Sequence, residues 1–152
     1  MKGIAYIKDM ETWKNGFSFF TEIDIRFSET DMFGHVNNVS AFIYFEQART
    51  EYMKEKGLFA NFKNPTSVPV VADLQCDYLR QIYFGQTIKL FVKTDSIGKS
   101  SLELHYMAVN QEGDICLTGR GRMVNVDPVT GNPVPLSSEI KQRLKDEAEV
   151  RN

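Results

Sequence analysis

Residues 38 to 56, NVSAFIYFEQARTEYMKEK, form one long helical stretch in a chain whose other apolar rows repeat every second residue. A period of two marks a strand with one buried face, whereas a long run without Gly or Pro suits a helix. Asn37 or Asn38 is suited to cap that helix, because an asparagine side chain accepts from the N–H groups the first turn leaves unpaired. Gly57 is placed to stop it near Lys56. Its first half, VSAFIYF, is apolar on nearly every side, which predicts burial all round.

The strand rows surround this helix in the sequence. Phe17, Phe19, Thr21, Ile23, Ile25 and Phe27 form the first; Val70, Ala72, Leu74, Cys76 and Tyr78 the second. Ile88, Leu90 and Val92 follow, then Leu102, Leu104, Tyr106 and Ala108, then a less regular row over 114 to 126. Polar links containing Gly98 and Gly113 predict antiparallel hairpins. Pro128, Gly131, Pro133 and Pro135 break the pattern before a short charged helix from about Ser137. The order implies an α+β chain: an antiparallel sheet of about five strands wrapped around one long central helix, plus a short C-terminal helix. Residues 1–152 read as one domain, with 1–16 as an N-terminal extension and 136–152 carrying the last helix. A sheet of this size has open edges, which invite pairing with another copy.

Charge narrows the partners. A net charge of −2 over 152 residues lacks the basic excess of a nucleic-acid surface, so no nucleic-acid partner is expected. No apolar run reaches the roughly 20 residues that span a bilayer, and the N-terminus has no signal-like segment, so a cytoplasmic protein without membrane insertion is expected. Cys76 and Cys116 lack a C-x-x-C partner or metal-ligand spacing and read as reduced, semi-buried side chains. Arg80, Lys89, Lys93, Arg120 and Arg122, scattered along strands, read as solvated faces.

Chemistry concentrates between Arg26 and Arg49, RFSETDMFGHVNNVSAFIYFEQAR, where Asp31 stands just before the helix start. Unpaired N–H groups and the partial positive charge of a helix N-terminus can polarise a carbonyl or hold an oxyanion. A carboxylate beside them can attack it or activate water. A turn-stabilising aspartate is the competing structural role.

The run TDMFGHVNN followed by YFEQAR, within the strand–helix–strands order, resembles the hotdog-fold thioesterases, specifically the 4-hydroxybenzoyl-CoA thioesterase-like acyl-CoA hydrolases. GKSS at 98 to 101 and VNVDPVTGNPVPL at 124 to 136 are weaker echoes. The resemblance covers residues 17 to 135. It implies hydrolysis of an acyl-CoA thioester to a free acid and CoA, with no cofactor beyond the CoA carried by the substrate and no metal. It also implies a homodimer, paired edge to edge and further assembled as a dimer of dimers, with active sites between subunits.

By the same resemblance Asp31 is the catalytic base or nucleophile, and Asn38 marks the helix start whose backbone N–H polarises the carbonyl. His35 is an assisting residue that orients Asp31, binds the carbonyl or meets the partner subunit. Phe33 stands where the plant acyl-acyl-carrier-protein thioesterases carry the Asn of D-x-N-x-H. Glu46, on the helix, is the alternative base; its structural reading is a buried Glu held by the asparagines or Arg49. Lys99 and Ser100 correspond to CoA-phosphate contacts. The rival readings are an acyl-carrier-protein thioesterase, a non-catalytic acyl-CoA-binding hotdog protein, and a hydratase, for which the second histidine, His105, lies mid-strand and offers little.

Overall fold

The computed structural model describes residues 3–58, 65–145 and 149–150. Its elements run α1 (Met10–Asn15), β1 (Phe19–Asp24), α2 (Asn38–Glu55), β2 (Val68–Tyr78), β3 (Thr87–Ile97), β4 (Ser101–Val109), β5 (Ile115–Val126), α3 (Ser138–Leu144) and β6 (Glu149–Val150). The sheet order is β1-β3-β4-β5-β2, antiparallel throughout that path, with β6 added in parallel beside the end of β3. This is the expected hotdog arrangement of five strands around one helix. The last helix covers only seven residues, and the chain beyond it contributes a short strand, so the expectation of helix through 136–152 is shortened. Residues 146–148 and 151–152 lie outside the described part.

Helix α2 begins as its sequence predicts. Asn37 caps it, its side chain accepting from the Val39 N–H at 2.9 Å, and Gly57 follows the last turn at φ +78°, a backbone angle that glycine adopts without strain. Ala41, Tyr44, Phe45, Ala48, Tyr52 and Met53 face the sheet and are buried, meeting Ile88, Leu90 and Val92 of β3 and Leu104, Tyr106 and Ala108 of β4 in one core. The Phe45 ring stacks on Tyr106 with centroids 4.5 Å apart. Gly119 in β5 makes room for it, since a Cβ there would meet the Phe45 ring at 2.5 Å. That close approach explains why the last strand row looked irregular.

Polar atoms under the helix are paired. Arg49 donates to the Tyr106 hydroxyl at 3.2 Å, and the Tyr52 hydroxyl bonds Thr94 Oγ1 at 2.7 Å. Pairing of this kind removes most of the cost of burying them.

Two expectations fail for reasons of geometry. α2 is not buried all round: Val39 is 66% and Ile43 51% exposed, because the chain places a sheet against one side of the helix only. Phe27 leaves the buried row of the first strand and is 75% exposed, since β1 ends at Asp24 and residues 27 to 29 turn as a 3-10 helix.

The two sheet edges differ. β1 has six residues and carries Glu22 and Asp24; β2 has eleven, with Val70 and Val71 half exposed, and a bulge between Val71 and Asp73 interrupts its inward alternation. Among the described residues, no helix is long and apolar enough to cross a membrane.

Candidate active site

The turn between β1 and α2 is fastened from beneath by Glu29. This residue is 8% exposed, and its carboxylate accepts from the Arg26 backbone N–H at 2.9 Å, from the Arg26 guanidinium at 3.0 Å and from the Tyr44 hydroxyl at 3.1 Å. Burial pushes the Glu29 carboxyl upward, but the bonds from Arg26 and Tyr44 outweigh it and hold the group below its ordinary range. Burial, reinforced by the facing Glu29 charge, raises Tyr44 above the usual phenol range. The Glu29 carbonyl in turn accepts from Asn37 N at 2.9 Å and Ser40 Oγ at 3.1 Å. One buried residue therefore ties the strand end, the turn and the first two turns of α2 together.

Above it the Asp31 turn closes on itself. Asp31 Oδ1 accepts from the N–H groups of Phe33 at 2.9 Å and His35 at 3.2 Å; the Asp31 N–H donates to the His35 carbonyl at 2.7 Å. Gly34, at φ +78°, completes the turn and donates to the Asp31 carbonyl. The turn-stabilising role expected of Asp31 is met by these bonds. Oδ1 is locked to the turn, while Oδ2 takes no hydrogen bond among the described residues and the side chain is exposed.

His35 contributes to that lock through its backbone, and its ring packs edge-on against Tyr83 at 4.9 Å. The loop carrying Tyr83 holds the turn in place: Val36 N–H donates to the Ile82 carbonyl and Phe84 N–H to the Gly34 carbonyl. Phe27, Phe33, Tyr83 and Phe84 leave an exposed aromatic rim around the turn.

Asn38 is the first residue of α2, one position inside the cap. Ser40 N–H goes to the Asn37 carbonyl and Val39 N–H to the Asn37 side chain, so the Asn38 N–H finds no acceptor among the described residues. It borders a cleft of about 190 Å³ lined by Val36, Asn38, Tyr78, Arg80, Ile82 and Leu117. The Tyr78 hydroxyl donates to the Asn38 carbonyl at 2.7 Å, which joins the end of β2 to the helix start.

The remaining predicted residues lie elsewhere. Glu46 is exposed, not buried as expected, because it sits on the same uncovered side of α2 as Val39 and Ile43; Arg49 instead turns inward to Tyr106. Lys99 and Ser100 occupy the β3–β4 hairpin, at the far end of β3 from the Asp31 turn, about 33 Å away for an eleven-residue strand. Lys99 borders a separate cavity of about 900 Å³ on the opposite face of the sheet. Glu29, Tyr44 and Tyr78 are the residues that sequence reasoning missed. Glu29 stood within the RFSETD run, two positions before Asp31, and that proximity was the available signal.

Residues 25–144 match the profile of the thioesterase-like superfamily. A Bacillus subtilis relative, uncharacterized protein YsmA, is 47% identical over 146 residues, covering 95% of this chain and 97% of its own. Two solved structures are each 31% identical to the chain. A predicted thioesterase from Bacillus stearothermophilus has a TM-score of 0.76 and covers 88% of this chain and 98% of its own. A thioesterase from Thermus thermophilus, complexed with coenzyme A and Zn, has a TM-score of 0.75 and covers 87% and 95%. The chain belongs to the thioesterase-like superfamily and is a hotdog-fold thioester hydrolase.

Proposed function

We propose that the chain hydrolyses an acyl-CoA thioester to the free acid and CoA, with Asp31 as base or nucleophile and the Asn38 N–H as the carbonyl-polarising donor. The observation that carries this reading is a helix N-terminal N–H without an acceptor at the border of a cleft, preceded in the same turn by an exposed carboxylate with one open oxygen. In the general-base route, Asp31 takes a proton from water as its oxygen attacks the thioester carbon. The oxyanion that forms is met by the Asn38 N–H and the α2 dipole. The C–S bond then breaks, and the CoA thiolate leaves and is protonated. In the nucleophilic route the carboxylate itself attacks, and water cleaves the resulting anhydride. Neither route needs a cofactor.

Hydrolysis is measured by thiol release across short, long and aromatic acyl-CoAs and an acyl-carrier-protein substrate. Asp31→Asn is expected to lower kcat at least ~10²-fold, as removal of an acid or base does. Near-normal turnover in the folded variant refutes the assignment. Glu46→Gln, assayed alongside, is expected to retain activity.

The site also asks for a second copy. Two β2 edges paired antiparallel place the Val68 end of one against the Tyr78 end of the other. The Val68 end carries the hairpin, through Val68–Val126 and Ser101–Val124 pairing, and the Tyr78 end carries Asn38. The second copy's Lys99 and Ser100 thereby approach the Asp31 turn, where they meet the CoA phosphates. The uncovered apolar side of α2 and the long β2 edge support this homodimer. Mixing Asp31→Asn subunits with Lys99→Ala subunits tests it: mixed dimers regain one complete site and a low KM, whereas sites built within one chain regain nothing.

A further inference from the structure

The face of the sheet turned away from α2 is crossed by the N-terminal arm, and one residue of that arm is held there by a buried histidine. Trp13 Nε1–H donates to His105 Nδ1 at 2.8 Å, and both side chains are enclosed, His105 at 1% exposure. Lys93, expected on a solvated face, is buried here and donates to the Trp13 carbonyl at 2.7 Å. Its ammonium also lies 5.3 Å from the Trp13 ring centre and 4.6 Å from that of Phe17.

This bond fixes the protonation state of the ring. An indole N–H only donates, so Nδ1 must accept, and the proton of the neutral imidazole sits on Nε2. Nε2 has no hydrogen-bond partner among the described residues; a carboxylate oxygen, Glu103 Oε2, stands 3.6 Å from it. On the other side of the ring, Asp95 Oδ1 stands 3.7 Å from Nδ1. Each ring nitrogen therefore has a carboxylate just outside hydrogen-bond reach.

We propose that Trp13 and His105 form a proton-operated latch: a second proton, entering at Nδ1, evicts the indole N–H, and the imidazolium re-pairs with Asp95 and Glu103, releasing the arm from the sheet. The exchange is chemically balanced. The imidazolium has two donors and no acceptor, so it cannot keep the indole N–H; after a small ring shift Asp95 accepts from the new Nδ1–H and Glu103 from the Nε2–H already present. Glu103 is ionised throughout, because burial, which raises it, is outweighed by the bonds from Arg120 that hold it down to about 2.

The charged and titratable groups around the ring come from every element packed on it. Tyr6, Lys8 and Asp9 belong to the arm, Lys93 and Asp95 to β3, Glu103 to β4, and Arg120 and Arg122 to β5. Lys93, Arg120 and Arg122 oppose the added proton; Asp95 and Glu103 favour it. The cavity of about 900 Å³ that borders the arm at Tyr6 and Trp13 already opens on this side, so the arm has room to lift. The latch is closed while the ring is neutral and open once it carries the second proton, which uncovers the outer face of the sheet.

The chain has a single tryptophan, so its emission reports the arm alone. The full-length protein is titrated from about pH 8.5 to about pH 5, the span in which a histidine titrates, with far-UV circular dichroism recorded in parallel. A one-proton red shift with several-fold greater acrylamide quenching, at constant circular dichroism, is expected. His105→Gln keeps an acceptor for the indole and cannot take the proton, so its emission stays flat. A transition that persists in His105→Gln, or a flat wild-type emission while the protein stays folded, overturns the latch. In the wild type, NMR of the Trp13 indole N–H and the His105 ring nitrogens gives an independent reading: their pH midpoints coincide if the latch operates, and separate midpoints overturn it.

Discussion

The two histidines of the chain sit on opposite terms with their surroundings. His35 is part of the Asp31 turn chiefly through its main chain: its N–H helps to fix a carboxylate, and its partly exposed ring rests on Tyr83. His105 works entirely through its side chain, sealed between the arm and the sheet, with one nitrogen bonded to Trp13 and a carboxylate waiting on each side. The proposed catalytic site is built from backbone N–H groups on an exposed turn, where water has access. A device that senses protons is built where burial makes the choice of hydrogen-bond partner decisive.

If the two regions are as separate as this, changes in one leave the other untouched, and that expectation can be broken. The largest effect belongs to Asp31→Asn, with turnover reduced at least ~10²-fold while the pH response of Trp13 emission is unchanged; a lost emission response would join the two regions. Glu29→Ala comes next. It leaves the Tyr44 hydroxyl and the Arg26 N–H without their acceptor and loosens the turn, so kcat should fall about ten-fold with little change in KM, less than the ~10²-fold that a full 1 Å misplacement of a reacting group costs. Glu29→Gln, which keeps an acceptor, is expected to recover most of the loss. A KM effect alone would make Glu29 a binding residue instead.

Smaller effects lie on the other face. Glu103→Gln weakens the pairing with Arg120 and should lower stability by about 1.5 kcal/mol near neutral pH, as measured by urea titration. The sign follows from linkage: the folded value of about 2 lies below the ordinary 4.5, so the stabilisation is complete above the unfolded value and is lost as pH falls through about 2. Wild type and variant should therefore converge in strong acid. Smallest is Trp13→Phe, which deletes the indole donor and keeps an aromatic ring; thermal stability should drop by about 0.5–1.5 kcal/mol with turnover unaffected.

Much of this was legible along the chain. The bounds of α2 followed from Asn37 and Gly57, whose local chemistry acts within a few residues, and the inward faces of β3 and β4 followed from strict alternation. The Asp31 turn was visible because its residues are contiguous. Periodicity reports that a face is apolar and not what covers it, so Val39 and Ile43 read as buried when one chain leaves them open. Glu29 was passed over because its partner Tyr44 lies on the next element, and the lysine and histidine of the outer face looked ordinary because Trp13 reaches them from 80 and 92 positions away. The short α1 carries too few residues to show a period.

The unequal edges of the sheet decide what kind of assembly such a chain can make. A sheet with two long apolar borders can recruit copies at both and grow without limit, as fibres do. Here one border is short and carries Glu22 and Asp24, while the other is long and carries Val70 and Val71. Once two copies join along the long border by a two-fold axis, only the short, charged borders face outward, and growth through the sheet stops at a closed pair.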